Sequence, residues 1–216
     1  MKIGIICGGP SQERGISLNS ARSLLDHIPA ELVIFYVDQS LRFYKIPTAQ
    51  LYSNTPDDFD FKLDNTSTHL SRSQLQEELS QVGIVFPSIH GEFGEDGALQ
   101  DMLKQMNVPF VGSDGTTCRN MYNKDKALHK LAVHGYDYFH RDIISRKESK
   151  ESIQKKIRHF FNQSKSKTII VKTKTTEVIH FVCAQRISEE QLFIPKRWSV
   201  EHNEATAAAS PFDFAV

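Results

Sequence analysis

His90, Glu92, Glu95 and Asp96 stand close together in the stretch His90-Gly91-Glu92-Phe93-Gly94-Glu95-Asp96-Gly97-Ala98-Leu99-Gln100. An imidazole in such a loop can orient or polarise a carboxylate. It reads equally as a helix-entry histidine bonded to backbone. Glu95 and Asp96 suit loop organisation and helix capping better than base chemistry. A metal site at Glu92, Glu95 and Asp96 is not expected, because oxygen-ligand clusters need more carboxylates at fixed intervals. A second group lies in Gly8-Gly9-Pro10-Ser11-Gln12-Glu13-Arg14-Gly15-Ile16-Ser17. A carboxylate there can hold an ammonium by charge-assisted hydrogen bonds, or simply cap a helix.

The elements around these loops follow from hydrophobic spacing. Val82 to Phe86 is an apolar run that reads as a buried parallel strand. Ala98, Leu99, Met102, Leu103 and Met106 fall at helical spacing after it. Lys2 to Cys7 reads as a strand, and Leu18, Ala21, Leu24, Leu25 and Ile28 as the helix that follows. Both chemical loops therefore sit at carboxyl ends of strands, where open α/β sheets bind ligands. Leu32 to Val37 is another strand, 41–54 an irregular hairpin turning near Pro47, and 70–79 a short helix. Phe59 and Phe61 are expected to anchor the polar stretch between them. A strand at Phe110 completes a three-layer α/β domain with a mainly parallel sheet over residues 1–115.

Residues 116–135 read as one helix stopped by Gly135. Tyr138 to Ser145 reads as a strand, the region of Ile153, Ile157, Phe160 and Phe161 as a helix, and 168–172 with 178–183 as a hairpin. These make a partial α+β subdomain over 116–185, and 186–216 is a tail with weak periodicity. An unfinished subdomain is expected to expose apolar surface around 169–182.

The 216 residues carry 26 basic and 26 acidic side chains, for a net charge of zero. The whole chain is thus not built as a polyanion binder. The segment 146–174 concentrates ten Lys or Arg against two acidic residues. It reads as a solvated helix face and loop, with a phosphate surface as the alternative. Three cysteines without paired spacing fit a reducing cytoplasm. No apolar run approaches a membrane span, and Met1-Lys2 leads into a strand with no signal peptide. Neither nucleic acid nor membrane is an expected partner.

Taken together, these segments resemble the D-alanine–D-alanine ligase family of the ATP-grasp superfamily. The residues that carry the resemblance are Gly8-Gly9-x-Ser11-x-Glu13-Arg14-x-x-Ser17, then His90-Gly91-x-x-Gly94-Glu95-Asp96-Gly97-x-x-Gln100. Val108-Pro109-Phe110-Val111-Gly112-Ser113 and Asp125-Lys126 match in order. The resemblance is strong over residues 1–135, fades to 172 and is absent afterwards. It implies an ATP- and Mg2+-dependent ligase that joins two D-alanines for peptidoglycan precursors. It further implies that Glu13, Ser17 and His90 bind the first D-alanine, with Glu13 and His90 as the catalytic pair. Lys126 and Lys172 would meet the ATP phosphates, Lys172 as a point charge at the end of a strand. No metal ligand is assigned. A homodimer through the N-terminal domain is implied as well.

Thr173 follows Lys172 where the family has proline, and no glycine follows Gly135. A phosphate loop built from backbone N–H groups is therefore missing. Nothing matches the family's magnesium ligands or its transition-state arginine, so Arg186, Arg197 and Glu201 receive no role. The expectation is a truncated or diverged ligase, inactive alone. The alternatives are a non-catalytic amino-acid- or partner-binding remnant, a working ligase with a diverged second half, and a fragment completed by a second chain.

Overall fold

The computed structural model describes residues 1–52, 59–63, 69–136, 144 and 148–163. These fall into two compact units, one holding the described residues up to 136 and the other holding 144 and 148–163. The elements of the first are β1 (Lys2–Gly8), α1 (Arg14–His27), β2 (Glu31–Val37), β3 (Phe43–Ile46), a 3-10 turn (Thr48–Tyr52), α2 (Arg72–Ser80), β4 (Ile84–Pro87), α3 (Ala98–Gln105), α4 (Gly115–Tyr122) and α5 (Lys124–Val133). The second contains α6 (Lys150–Gln163), around the expected Ile153, Ile157 and Phe160.

The sheet runs β3-β2-β1-β4. β1 is parallel to both neighbours, with Gly4 opposite Val33 on one side and Val85 on the other. β3 is antiparallel to β2. Alternation along the strands divides the core in two. Ile5, Cys7, Ile34 and Tyr36 face α1 through Leu18 and Ala21. Ile6, Phe35, Val37 and Val85 face α2 and α3 through Leu75, Leu79, Leu99 and Leu103. Burying each such Leu or Ile contributes about 1.5–3 kcal/mol. Helices thus cover opposite faces, and the chain leaves β1 toward β2 on one side while β4 lies on the other. That is a switch point, which opens a crevice between the loops after β1 and β4.

Local chemistry explains where the expected elements shift. The hairpin is formed by β2 and β3, not by 41–54. Buried Asp38 closes its turn, accepting from the Ser40 and Arg42 amides at 2.8 and 2.9 Å and from Arg42 Nε at 2.6 Å. Pro47 instead leads into the 3-10 turn. The Phe110 strand is reduced to one parallel bridge with Val85, whose amide donates to Pro109 and whose carbonyl accepts from Val111. The single helix over 116–135 is two helices. Asn123 takes extended backbone angles, and its side chain accepts from the Lys126 amide, restarting the chain as the cap of α5. Of the two aromatic anchors, Phe59 is buried and packs 4.4 Å from the Tyr36 ring, whereas Phe61 is exposed. Of the expected strand at 138–145 only residue 144 is described, and the expected hairpin of 168–172 with 178–183 lies outside the described residues.

The 59–63 segment is tied down by charge. Asp60 accepts from buried Arg14 of α1 and from the Tyr36 hydroxyl. Burial and this carboxylate push the Tyr36 phenol far up, and burial pushes the Cys7 thiol up to about 12 from an ordinary 9.0. Both groups hold their protons in the native state at pH values where the unfolded chain releases them. Stability is therefore expected to be intact below pH 9 and to fall as pH rises from there toward 12. Urea unfolding at stepped alkaline pH checks this, and Cys7→Ala should remove the earliest part of the decline.

Candidate functional site

Gly8 and Gly9 turn the chain out of β1 with φ of +93° and +100°, a region that favours glycine. A Cβ on Gly9 would stand 2.7 Å from Ile89 Cγ2, so the two loops touch at this point. The turn then enters α1 with Glu13 at the N-cap. Glu13 is half-buried, and its amide donates to Ser11 Oγ at 2.9 Å. The expected placement of Glu13 at the mouth of the helix is what the structure shows.

Ser17 sits one turn into α1 and is fully buried. Its hydroxyl accepts from the Gly8 amide at 2.8 Å and donates to the Ser88 carbonyl at 2.6 Å. It thereby ties the end of β1 to the start of the loop after β4. One turn further, Ser20 Oγ lies 2.9 Å from His90 Nε2. The other ring nitrogen, Nδ1, lies 3.7 Å from Glu95 Oε1. Glu13, Ser17 and Ser20 are spaced i, i+4, i+7, which places them along one face of α1, the face that meets Ser88 and His90.

The His90 loop is held rigidly. Asp96 accepts from the Phe93 amide at 3.1 Å and from the Ala98 amide at 2.9 Å, the loop-organising part expected of it, while the N-cap of α3 is Gly97. Phe93 adopts φ of +71°, unusual outside glycine, and its ring meets Phe43 edge-on at 6.1 Å. A Cβ on Gly94 would fall 2.2 Å from the Ile89 carbonyl oxygen. Gln100, buried beneath, donates to the Gly94 carbonyl at 2.7 Å.

Glu13 and His90 are carried on the two loops that meet at Gly9 and Ile89, whereas Ser17, expected to bind substrate, is fully buried with its hydroxyl engaged by the Gly8 amide and the Ser88 carbonyl. Lys126 is exposed on α5, and Lys172 lies outside the described residues. Sequence reasoning missed Ser20. The signal available was its spacing of three from Ser17 on an amphipathic helix, which puts two hydroxyls on the face next to Glu13.

The glycine turn after β1 is no phosphate cradle. The Gly8 amide is engaged by Ser17, and the Gly9 amide by the Val37 carbonyl at 2.7 Å. Among the described residues, no group of three or more His, Cys, Asp or Glu could hold a metal ion. What the two loops bring together is the Glu13 carboxylate, the His90 imidazole and the Ser20 hydroxyl.

Ser17→Ala would leave the Gly8 amide and the Ser88 carbonyl buried without this partner, at about 1–3 kcal/mol for each orphaned group. A loss of roughly 3 kcal/mol in urea unfolding is the expected result; a change within 0.5 kcal/mol, the range of an ordinary surface substitution, would show that the two loops are not tied through this hydroxyl.

The model of the D-ala D-ala ligase N-terminus family matches residues 2–113. D-alanine–D-alanine ligase A of Escherichia coli K12 is 31% identical over 139 residues, which are 58% of this chain and 38% of that protein. D-alanine–D-alanine ligase of Oceanobacillus iheyensis is 31% identical over 144 residues, or 60% and 39%. The chain thus spans about two fifths of the length of these curated relatives. In fold, the D-alanine–D-alanine ligase structure from Coxiella burnetii aligns with a TM-score of 0.66 at 23% identity, covering 82% of this chain and 54% of that one. The Helicobacter pylori ligase aligns with a TM-score of 0.63 at 20% identity, with coverages of 82% and 54%. With more than half of its residues matched by the family's N-terminal model and the motif loops facing one crevice, the chain belongs to the D-alanine–D-alanine ligase family.

Proposed function

We propose that this chain is the amino-acid-binding part of an ATP-dependent D-alanine–D-alanine ligase acting in peptidoglycan precursor synthesis. The observation that carries the reading is the joining of the two loops, with His90 held 2.9 Å from Ser20 on the helix that Glu13 caps. Glu13 holds the ammonium of the first D-alanine, and His90 faces its carboxylate. Ser17 keeps the two loops in register. A carboxylate at the ammonium end and an imidazole N–H at the carboxylate end fix the orientation of a zwitterion, which is the entropic part of catalysis a binding domain can supply.

Joining two D-alanines requires an activated carboxylate, the chemistry that ATP with Mg2+ supplies. Lys126 and Lys172 are the residues of this chain assigned to the phosphates. The described residues offer no metal cluster and no free glycine-turn amides at the β1 loop. Residues 1–115 form the ligase N-terminal domain in this reading, 116–185 a partial ATP-grasp subdomain and 186–216 a diverged tail. The same reading carries a cytoplasmic location and two kinds of partner, a second copy through the N-terminal unit or a second chain bearing nucleotide-binding residues. Among the described residues no helix is long and apolar enough to cross a membrane.

Calorimetry of the full chain with D-alanine and L-alanine tests the reading. D-alanine should bind and L-alanine should not. Glu13→Gln and His90→Ala should each weaken binding about 10-fold or more, the size of a charge-assisted hydrogen bond. D-alanine-dependent phosphate release with ATP and Mg2+, abolished by Lys172→Ala, would make the chain a working ligase. Binding without release would make it a binding module, and a folded chain that ignores D-alanine would sink the reading.

A further inference from the structure

We propose that Ser20 is a positioning residue that locks His90 in one tautomer, with Nε2 accepting and Nδ1 carrying the proton toward the ligand. The consequence for binding rests on the amino-acid reading above; the lock itself does not.

A neutral imidazole has one donor and one acceptor nitrogen, and its partners decide which is which. Ser20 Oγ lies 2.9 Å from Nε2, across 70 residues of sequence. Glu95 Oε1 lies 3.7 Å from Nδ1. A carboxylate is an acceptor only, so it favours a proton on Nδ1. A hydroxyl is both donor and acceptor and can supply the complementary proton to Nε2. The Glu95 carboxylate thus favours the Nδ1–H tautomer, and the Ser20 hydroxyl can donate to the Nε2 that this tautomer leaves bare. At 3.7 Å the Glu95 contact is longer than a hydrogen bond, which leaves the Nδ1 proton room for a closer acceptor such as a ligand carboxylate.

The geometry around the ring keeps this arrangement fixed. Gly91 at φ +76° and Phe93 at +71° set the loop path, and Asp96 ties the Phe93 amide. Ser17, the neighbouring hydroxyl on the same face of α1, has both its proton and an acceptor position engaged by backbone. Ser20 is thus the hydroxyl of this face that acts on a side chain. Helical serines commonly bond back to the carbonyl four residues earlier; here the contact crosses instead to the other loop.

The test is the ring-nitrogen spectrum of the full chain labelled with 15N-histidine, recorded at about pH 8.5, where an unperturbed imidazole is neutral. His90→Gln assigns the His90 signals among the nine histidines. Wild type should show Nδ1 in the protonated range and Nε2 in the unprotonated range. Ser20→Ala should draw the two shifts together as tautomers mix, and Ser20→Thr should restore them. His27 reports on helix integrity, since its Nδ1 lies 2.7 Å from the Ser23 carbonyl at the end of α1; its signals should stay in place in both variants. Unchanged His90 shifts in Ser20→Ala, or His27 moving together with His90, would overturn the proposal. Addition of D-alanine to wild type should move Nδ1, and Ser20→Ala should bind D-alanine about five- to tenfold more weakly, the effect of one hydrogen bond. A locked tautomer with no response to D-alanine would keep the Ser20 assignment and sink the amino-acid reading instead.

Discussion

The Ser17 hydroxyl is the contact on which the crevice depends. It accepts a hydrogen bond from the Gly8 amide and donates one to the Ser88 carbonyl, at 2.8 and 2.6 Å in a fully buried position. The β1–β4 register ends at Ile6 and Pro87, and one further backbone bond runs from the Ser88 amide to the Ile6 carbonyl at 2.7 Å. The hydroxyl extends the connection past the last ladder pair. A buried bond of this kind is worth little net stability but is expensive to leave unmade, so it specifies position more than it adds energy.

A second layer of constraint comes from below the sheet end. Arg14, Asp60 and the Tyr36 hydroxyl form a charged cluster under the first turn of α1. Arg14 is almost wholly buried, and a buried cation demands its partner. This fixes the start of the helix, and with it Glu13 at the cap and the serine face above. On the other side, Phe93 is held in an unusual backbone conformation by Asp96 and by Phe43. Local strain of this kind persists only where surrounding contacts outweigh it. The site is thus clamped by one ionic cluster and one aromatic contact, each on a different face of the sheet.

Much of the first unit was legible because hydrophobic period and glycine placement point the same way. The apolar runs at 2–7, 32–37 and 82–86 became β1, β2 and β4 within one or two residues, and the glycines marked the loops. The strand at Phe110 did not mature, because an apolar stretch looks alike whether it makes a ladder or one bridge. The break at Asn123 was hidden for a similar reason. Apolar spacing continues across it, and the interruption comes from a side-chain cap, a three-atom event that periodicity does not register. The loop placement of Glu13 and His90 was readable from sequence. Type and context left a helix cap and a backbone-bonded histidine open as readings, and only the family resemblance singled the two out. Ser20 was not readable, since its partner lies 70 residues away and nothing in a local window announces such a meeting.

The engaged amides of Gly8 and Gly9 have a wider consequence. A turn whose N–H groups face outward binds through the main chain, so its preference is written in backbone shape and resists single substitutions. Here those groups are directed inward, to Ser17 and Val37, which in the proposed function leaves recognition to the side chains of Glu13 and His90. Such a pocket separates architecture from selectivity: the scaffold can be inherited unchanged while exchanges at two or three codons redirect it to a different small molecule.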